Sequence, residues 1–80
     1  MIAEDEVRAV VQMVPDVIGC HQIRTRGSAD HVVVDMHIWL NGDMGLDDAH
    51  AASHVGKDKL MARYRQIADV VIHIEPPPFE

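Results

Sequence analysis

Several kinds of residue are scarce in this chain of 80 residues, and each shortage excludes a class of protein. With one cysteine, Cys20, the chain cannot form an intramolecular disulfide, which fits a reducing compartment. Lysine and arginine number 7 against 13 acidic residues, so the formal net charge of −6 argues against nucleic acid as a partner. No apolar run approaches the roughly 20 residues that span a bilayer, and no signal-peptide pattern opens the sequence. We therefore expect residues 1–80 to form one soluble domain with one small core.

The motifs of common enzyme classes are also missing. The sequence contains no glycine-rich phosphate loop, no Ser-His-Asp set and no nucleophile elbow. Histidine, in contrast, is abundant, with 6 residues. Neutral imidazole is the commonest protein ligand for borderline divalent metals. The histidine content favours a metal-binding protein, and the missing motifs favour one that is not an enzyme. The less favoured alternative is a small enzyme that uses His37 and Asp35 as an acid–base pair.

The hydrophobic pattern predicts five elements in the order helix, strand, strand, helix, strand. They are expected at residues 2–14, 16–26, 31–40, 48–64 and 69–75. Pro15 ends the first helix, and Asp47 or Asp48 caps the second. Three prolines at 76–78 end the last strand, because proline cannot continue a ladder. Two helices can cover only one face of a three-stranded sheet, so the predicted fold is α+β with an open sheet face.

Alternation in the two later strands sorts their side chains between the two faces of the sheet. The inward set of the second strand is Val32, Val34, Met36, Ile38 and Leu40. Its outward set is His31, Val33, Asp35, His37 and Trp39. The last strand turns Val71, His73 and Glu75 outward. In the second helix, the candidate core stripe is Ala49, Ala52, Val55, Leu60 and Tyr64.

Two pairs on the open face combine a nitrogen ligand with a carboxylate. His73 and Glu75 are two residues apart on one strand, so both side chains point to the same side, and His37 and Asp35 repeat the arrangement. This donor set suits zinc, iron(II), manganese, cobalt or nickel. The alternative interpretation is that these are polar side chains on a solvated sheet face.

A third pair, His50 and His54, lies four residues apart on the second helix. A metalloprotease motif needs a glutamate directly after the first histidine, and Ala51 stands there instead, which excludes that mechanism. The two histidines are either a pair of ligands or solvated side chains. Cys20 has a similar ambiguity, between a small buried hydrophobic residue and a metal ligand.

The position of His21 depends on the register of the first hairpin. A simple hairpin closed by the turn at residues 27–30 places Arg26 opposite His31 and Cys20 opposite His37, so that His21 points into the core. A bulge near Gly19 brings His21 to the open face instead. Both arrangements are compatible with the sequence.

Four sequence blocks together resemble the C-terminal cytoplasmic domain of cation diffusion facilitator transporters. They are VPDVIGCHQIRTRG, VDMHIWL, the AH of DDAHAASHV, and VVIHIEP. That family has a VPGV-x-G-x-H-x-LRTR strand, a hydrophobic strand with a central histidine, a helix opening with Ala-His, and a closing IH-x-(Asp/Glu)-P strand. The blocks occur in the family's order and cover almost the whole chain.

The resemblance implies a metallochaperone-like, ferredoxin-like αββαβ fold that forms a homodimer beneath a transmembrane domain of the same transporter. It implies that a divalent metal ion, such as zinc, iron(II) or manganese, is bound by His21, His37, His50, His73 and Glu75. The position of His50 is expected to reach the other subunit. The resemblance also favours a bulged, ligating position for His21. Glu75 replaces the aspartate of many zinc exporters, and this longer side chain changes the geometry of the site.

Trp39 and Val71 are apolar residues on the open face and predict a partner surface there. Trp39 near the expected dimer cleft is also similar to a feature of the magnetosome iron transporters of the family, which suggests a location at the magnetosome membrane. From these features we expect a regulatory domain at the cytoplasmic side of a membrane, whose dimer closes on metal and activates transport. The alternative is a free-standing soluble metal chaperone of the same fold.

Overall fold

The computed structural model describes residues 2–78 and contains the five predicted elements in the predicted order. They are α1 (Glu4–Val11), β1 (Gly19–Ser28), β2 (His31–Trp39), α2 (Leu46–Arg63) and β3 (Ile67–Glu75). The α+β fold with two helices over a three-stranded sheet is therefore confirmed. Within this described part of the chain, no helix is both long and apolar enough to cross a membrane.

The central strand of the sheet is β2. It pairs antiparallel with β1 on one side and parallel with β3 on the other. The parallel pair requires a crossover, which α2 supplies. The Lys57 ammonium lies 3.0 Å from the Asp69 carboxylate and links α2 to the start of β3. The registers of the two strand pairs bring side chains from three separated segments of the chain side by side.

The core lies between the sheet and the helices, as the alternation in β2 predicts. All five inward residues of β2 and its extension are at most 6% exposed: Val32, Val34, Met36, Ile38 and Leu40. From the helix layer, Val7, Val11 and Leu60 are fully buried against them. Burial of this kind contributes about 1.5–3 kcal/mol for each large apolar side chain. The opposite face of the sheet is left open.

The prediction for α2 was wrong in two respects. The helix begins at Leu46 with Gly45 as its N-cap and no side-chain cap, so neither Asp47 nor Asp48 has the capping role. These acids lie in the first turn, where their negative charges interact favourably with the positive end of the helix dipole and stabilise the helix. Val55 is 41% exposed and does not belong to the core stripe. Gly56, one position further on, is buried instead, because it faces β3.

The hairpin between β1 and β2 is tighter than predicted. The turn consists of two residues, Ala29 and Asp30, so Ser28 pairs with His31. Arg26 consequently pairs with Val33, and the predicted pairing of Arg26 with His31 is wrong. The sequence predicts that β1 ends at Arg26, because Gly27 and Ser28 are typical turn residues, whereas β1 continues to Ser28.

A bulge then shifts the register between His21 and Arg24. Two residues of β1, Gln22 and Ile23, stand against one position of β2, and Gln22 has a positive φ of 51°. This extra residue lets Ile23 face the core while His21 pairs with His37 on the open face. The predicted bulge near Gly19 is therefore centred on Gln22, and the inward placement of His21 is excluded.

Candidate metal centre

Three histidines lie in one row across the open face. His21 of β1 pairs with His37 of β2, and His37 pairs with His73 of β3. The next row on this face contains Trp39 and Glu75. Each strand thus contributes at least one potential donor, and the register of both strand pairs brings the donors together.

Three of these side chains form a compact group of possible metal ligands. One donor atom from each of His21, His37 and Glu75 lies within 4.8 Å of the others, and all three residues are partly buried. One Glu75 oxygen contacts His21 Nε2, and the other lies 3.0 Å from His37 Nδ1. The carboxylate therefore bridges two imidazoles from two different strands. We call these three residues the sheet-face group.

The carboxylate of Glu75 is stabilised in its ionised form. Hydrogen bonds from His21, and next from His37, lower the pKa of Glu75 below its ordinary range, and Trp39 adds a smaller effect. Partial burial acts in the opposite direction and raises the pKa of Glu75, but by less than the hydrogen bonds lower it. The carboxylate is therefore charged at neutral pH and available to a cation.

Trp39 holds two members of the sheet-face group. Its indole N–H donates to Glu75 Oε1 at 3.0 Å, and its ring stacks on His21 with a centroid distance of 4.7 Å. Gly19 lies beneath the indole, where a Cβ would stand 2.9 Å from Trp39 Cε3. Sequence reasoning assigned Trp39 to a partner surface and missed this contact, since only the parallel register of β2 and β3 brings Trp39 beside Glu75.

The neighbours of the sheet-face group on the same face have other contacts. His73 is exposed and stacks on His37 with a centroid distance of 4.7 Å, outside the three-donor group. Asp35 lies 3.3 Å from the guanidinium of Arg26 and also stands outside the group. The predicted pair of His37 with Asp35 is thus replaced by His37 with Glu75. Val71 is 41% exposed on this face.

The other predicted ligands lie in different parts of the molecule. His50 and His54 are exposed on α2, in the layer behind the sheet, so they do not join the sheet-face group of their own chain. Cys20 is 5% exposed and pairs with Ile38 in the core. Burial raises the pKa of its thiol. The structure therefore places Cys20 away from the open face as a small core residue.

The chemistry of the sheet-face group suits a borderline divalent cation. Two imidazoles and a carboxylate are ligands of zinc and of other first-row metals. Ligands on a tetrahedral zinc ion are about 3.4 Å apart, given metal–ligand bonds of about 2.1 Å. The spacing of 3.0 Å between His37 Nδ1 and Glu75 Oε2 is close to this. The three donor atoms lie within 4.8 Å of one another, so the widest pair would approach by up to about 1.4 Å to share one ion. Three protein donors leave one coordination position open.

A sequence model described as the cytoplasmic domain of cation efflux proteins matches residues 2–77. A cation-efflux pump FieF from Yersinia pestis is 32% identical over 78 residues, and the FieF of Shewanella oneidensis is 28% identical over 74 residues. These matches cover 94% and 92% of this chain. The chain spans about a quarter of the length of these relatives, 26% and 25% respectively.

Solved structures give the same family. The metal-bound C-terminal domain of the CzcD transporter from Thermotoga maritima superposes with a TM-score of 0.84 at 32% identity, covering 90% of this chain and 84% of that one. A manganese form of a MamM C-terminal domain has a TM-score of 0.86 at 18% identity, covering 92% and 94%, which shows the fold alone. The assignment to the magnetosome branch therefore stays a prediction. The chain belongs to the cation efflux, or cation diffusion facilitator, family and matches its cytoplasmic domain.

Proposed function

We propose that this domain is the metal-responsive regulatory part of a cation transporter. It binds a divalent metal ion at the sheet-face group, and the ion draws the two protomers of a homodimer into a closed form that activates the transmembrane domain. The observation that carries the proposal is the convergence of His21, His37 and Glu75 within 4.8 Å on an uncovered sheet face. The domain itself is not an enzyme.

The class of metal follows from the donors. Two nitrogens and one carboxylate suit zinc, iron(II) and manganese better than the oxygen-seeking calcium or magnesium. Similar domains support a divalent cation, since the CzcD domain is metal-bound and substituted variants of the MamM domain were solved in manganese, cadmium and nickel forms. In the whole transporter, the same class of ion is the cargo.

A dimer supplies what one protomer lacks. The open coordination position of the sheet-face group can take a ligand from the second copy, and the family resemblance names His50 for that role. The neighbouring His73 is a second candidate ligand from the same chain. The partly exposed Trp39 and Val71 give the same face an apolar contact surface.

The net charge of the protomers makes the proposed dimer responsive to metal ions. Each protomer has a formal charge of −6, so two protomers repel one another and the metal-free dimer is open. Divalent ions at the contact reduce that repulsion. An ion shifts the equilibrium only by its differential affinity for the two forms, and about 5.5 kcal/mol of difference is needed to move it from 1:99 to 99:1.

The test combines calorimetric titration with small-angle scattering. The purified chain is titrated with zinc, iron(II) and manganese, and its radius of gyration and mass are followed in parallel. We expect saturable binding together with compaction of a dimer. Glu75→Gln keeps the shape of the side chain while removing its charge, and it should abolish both effects.

His31→Ala is the matched control, because it removes an exposed histidine of β2 that lies outside the sheet-face group. It should bind and compact like the original chain. Binding without compaction would contradict metal-driven closure. Binding that survives Glu75→Gln unchanged would contradict the assignment of the site.

A further inference from the structure

The exposed side of α2 carries a second pair of metal-binding side chains. The Nε2 atoms of His50 and His54 lie 3.0 Å apart, and the two rings meet edge to face with a centroid distance of 4.5 Å. A hydrogen bond at this distance pairs an N–H of one ring with a lone pair of the other. An ion that replaces this hydrogen bond can take one nitrogen lone pair from each ring in its neutral form.

The spacing of the two nitrogens fits a shared ion. Two nitrogen ligands at about 2.1 Å from a zinc ion are about 3.4 Å apart when the angle is tetrahedral. The observed 3.0 Å requires a separation of only a few tenths of an ångström. The helix fixes this geometry, since residues four apart lie one above the other on its surface.

The charges around the pair favour a cation. Asp47 lies three residues before His50 and Asp58 four residues after His54, so the helical repeat places both acids along the same side of α2. The nearest base along the helix is Lys57, which borders the same groove as His54. Its ammonium is paired with Asp69 at 3.0 Å. The local field is therefore acidic on balance.

We infer that His50 and His54 form a bidentate metal site on the surface of one protomer, separate from the sheet-face group. The two imidazoles select late first-row divalent cations, with copper(II) first and nickel and zinc next, over manganese and magnesium. This site uses none of the three residues of the sheet-face group and needs no second protomer. It shares His50 with the ligand role proposed across the dimer, whereas His54 belongs to this site alone. It also gives His54, which lies outside the family pattern, a specific role.

The experiment isolates the helix site by removing the other one. In a His21→Ala/His37→Ala background, nickel and copper(II) are titrated into the folded chain, and the number of nitrogen ligands on copper is read from electron paramagnetic resonance. Circular dichroism checks that each variant is folded. We expect one bound ion per chain with two nitrogen couplings.

Adding His54→Ala to this background should lower the affinity by about tenfold or more, because the second contact of a chelate is intramolecular. The copper spectrum should then show one nitrogen. His31→Ala, the matched control, should change neither quantity. Combining His50→Ala with Asp58→His should instead retain binding, since it recreates a pair four residues apart at His54 and position 58.

The result that would overturn this inference is a background chain that binds no nickel or copper. Equal affinities in the His54→Ala and His31→Ala variants would overturn it as well. Failure of the proposed function has a different signature, namely an original chain that does not compact with metal. The two ideas can therefore fail separately.

Discussion

The substitution Gly56→Ala tests how α2 lies on the sheet. Gly56 is buried near the middle of α2, and a Cβ built there would lie 3.5 Å from Ile72 Cδ1 and 3.9 Å from Val14 Cγ2. Both distances are ordinary van der Waals contacts, so the methyl group fits without displacing β3. Alanine is about 1 kcal/mol more favourable than glycine inside a helix. The buried methyl adds about 0.8 kcal/mol, which gives a stabilisation of about 1–2 kcal/mol in total.

Urea and thermal unfolding of the metal-free chain measure this difference. For a domain of this size, each 1 kcal/mol raises the melting temperature by about 4–8 °C. Gly27→Ala is the opposite control, because Gly27 has a φ of 111° and its Cβ would lie 2.0 Å from the carbonyl oxygen of His31. That variant should be clearly destabilised. A lower free energy of unfolding for Gly56→Ala would refute the described packing of α2 against β3.

Three further predictions concern the site and the core. Trp39→Phe retains a ring over His21 but loses the N–H that Trp39 donates to Glu75. Calorimetry should therefore show a metal affinity that is lowered about 10- to 100-fold. An unchanged affinity would mean that the indole does not position the carboxylate. Hydrogen bonds from His21, and next from His37, lower the pKa of Glu75 in the folded chain. They therefore stabilise the metal-free fold at pH values above the ordinary glutamate pKa of about 4.3. This stabilisation is lost as the pH falls through the lower pKa of the folded state. The free energy of unfolding should therefore fall less with decreasing pH in Glu75→Gln than in the original chain. An identical pH dependence in the two chains would count against these hydrogen bonds. Cys20 is 5% exposed, and burial raises the pKa of its thiol. Iodoacetamide should therefore modify Cys20 only when the chain unfolds. Rapid alkylation of the native chain would contradict the place of Cys20 in the core.

Local patterns were sufficient to predict the layers of this fold. The alternation in β2 identifies its buried face directly, because side chains on a strand point to opposite sides in turn. For the same reason, His37 and Glu75 could be assigned to the open face without coordinates. The helix spacing likewise identified Leu60 as a core residue, although it misassigned the exposed Val55.

Register could not be predicted in the same way. The pairing of His21 with His37 depends on the two-residue turn and on one extra residue at Gln22, and neither leaves a clear signal in the sequence. The contact between Glu75 and His21 depends in addition on the parallel register of β3 against β2. Sequence reasoning therefore placed His37 and Glu75 on the open face, but it paired His37 with Asp35 and Glu75 with His73 instead of His37 with Glu75.

The sheet-face group joins positions that are far apart along the chain. Glu75 contacts His37 across 38 positions and His21 across 54. Closing loops of this length costs entropy before such contacts form, so we expect these contacts to form late in folding. An ion held by these side chains then stabilises the native state more than the transition state, so added metal should slow unfolding and leave the folding rate nearly unchanged. The ion would prolong the lifetime of each folded copy without hastening its formation.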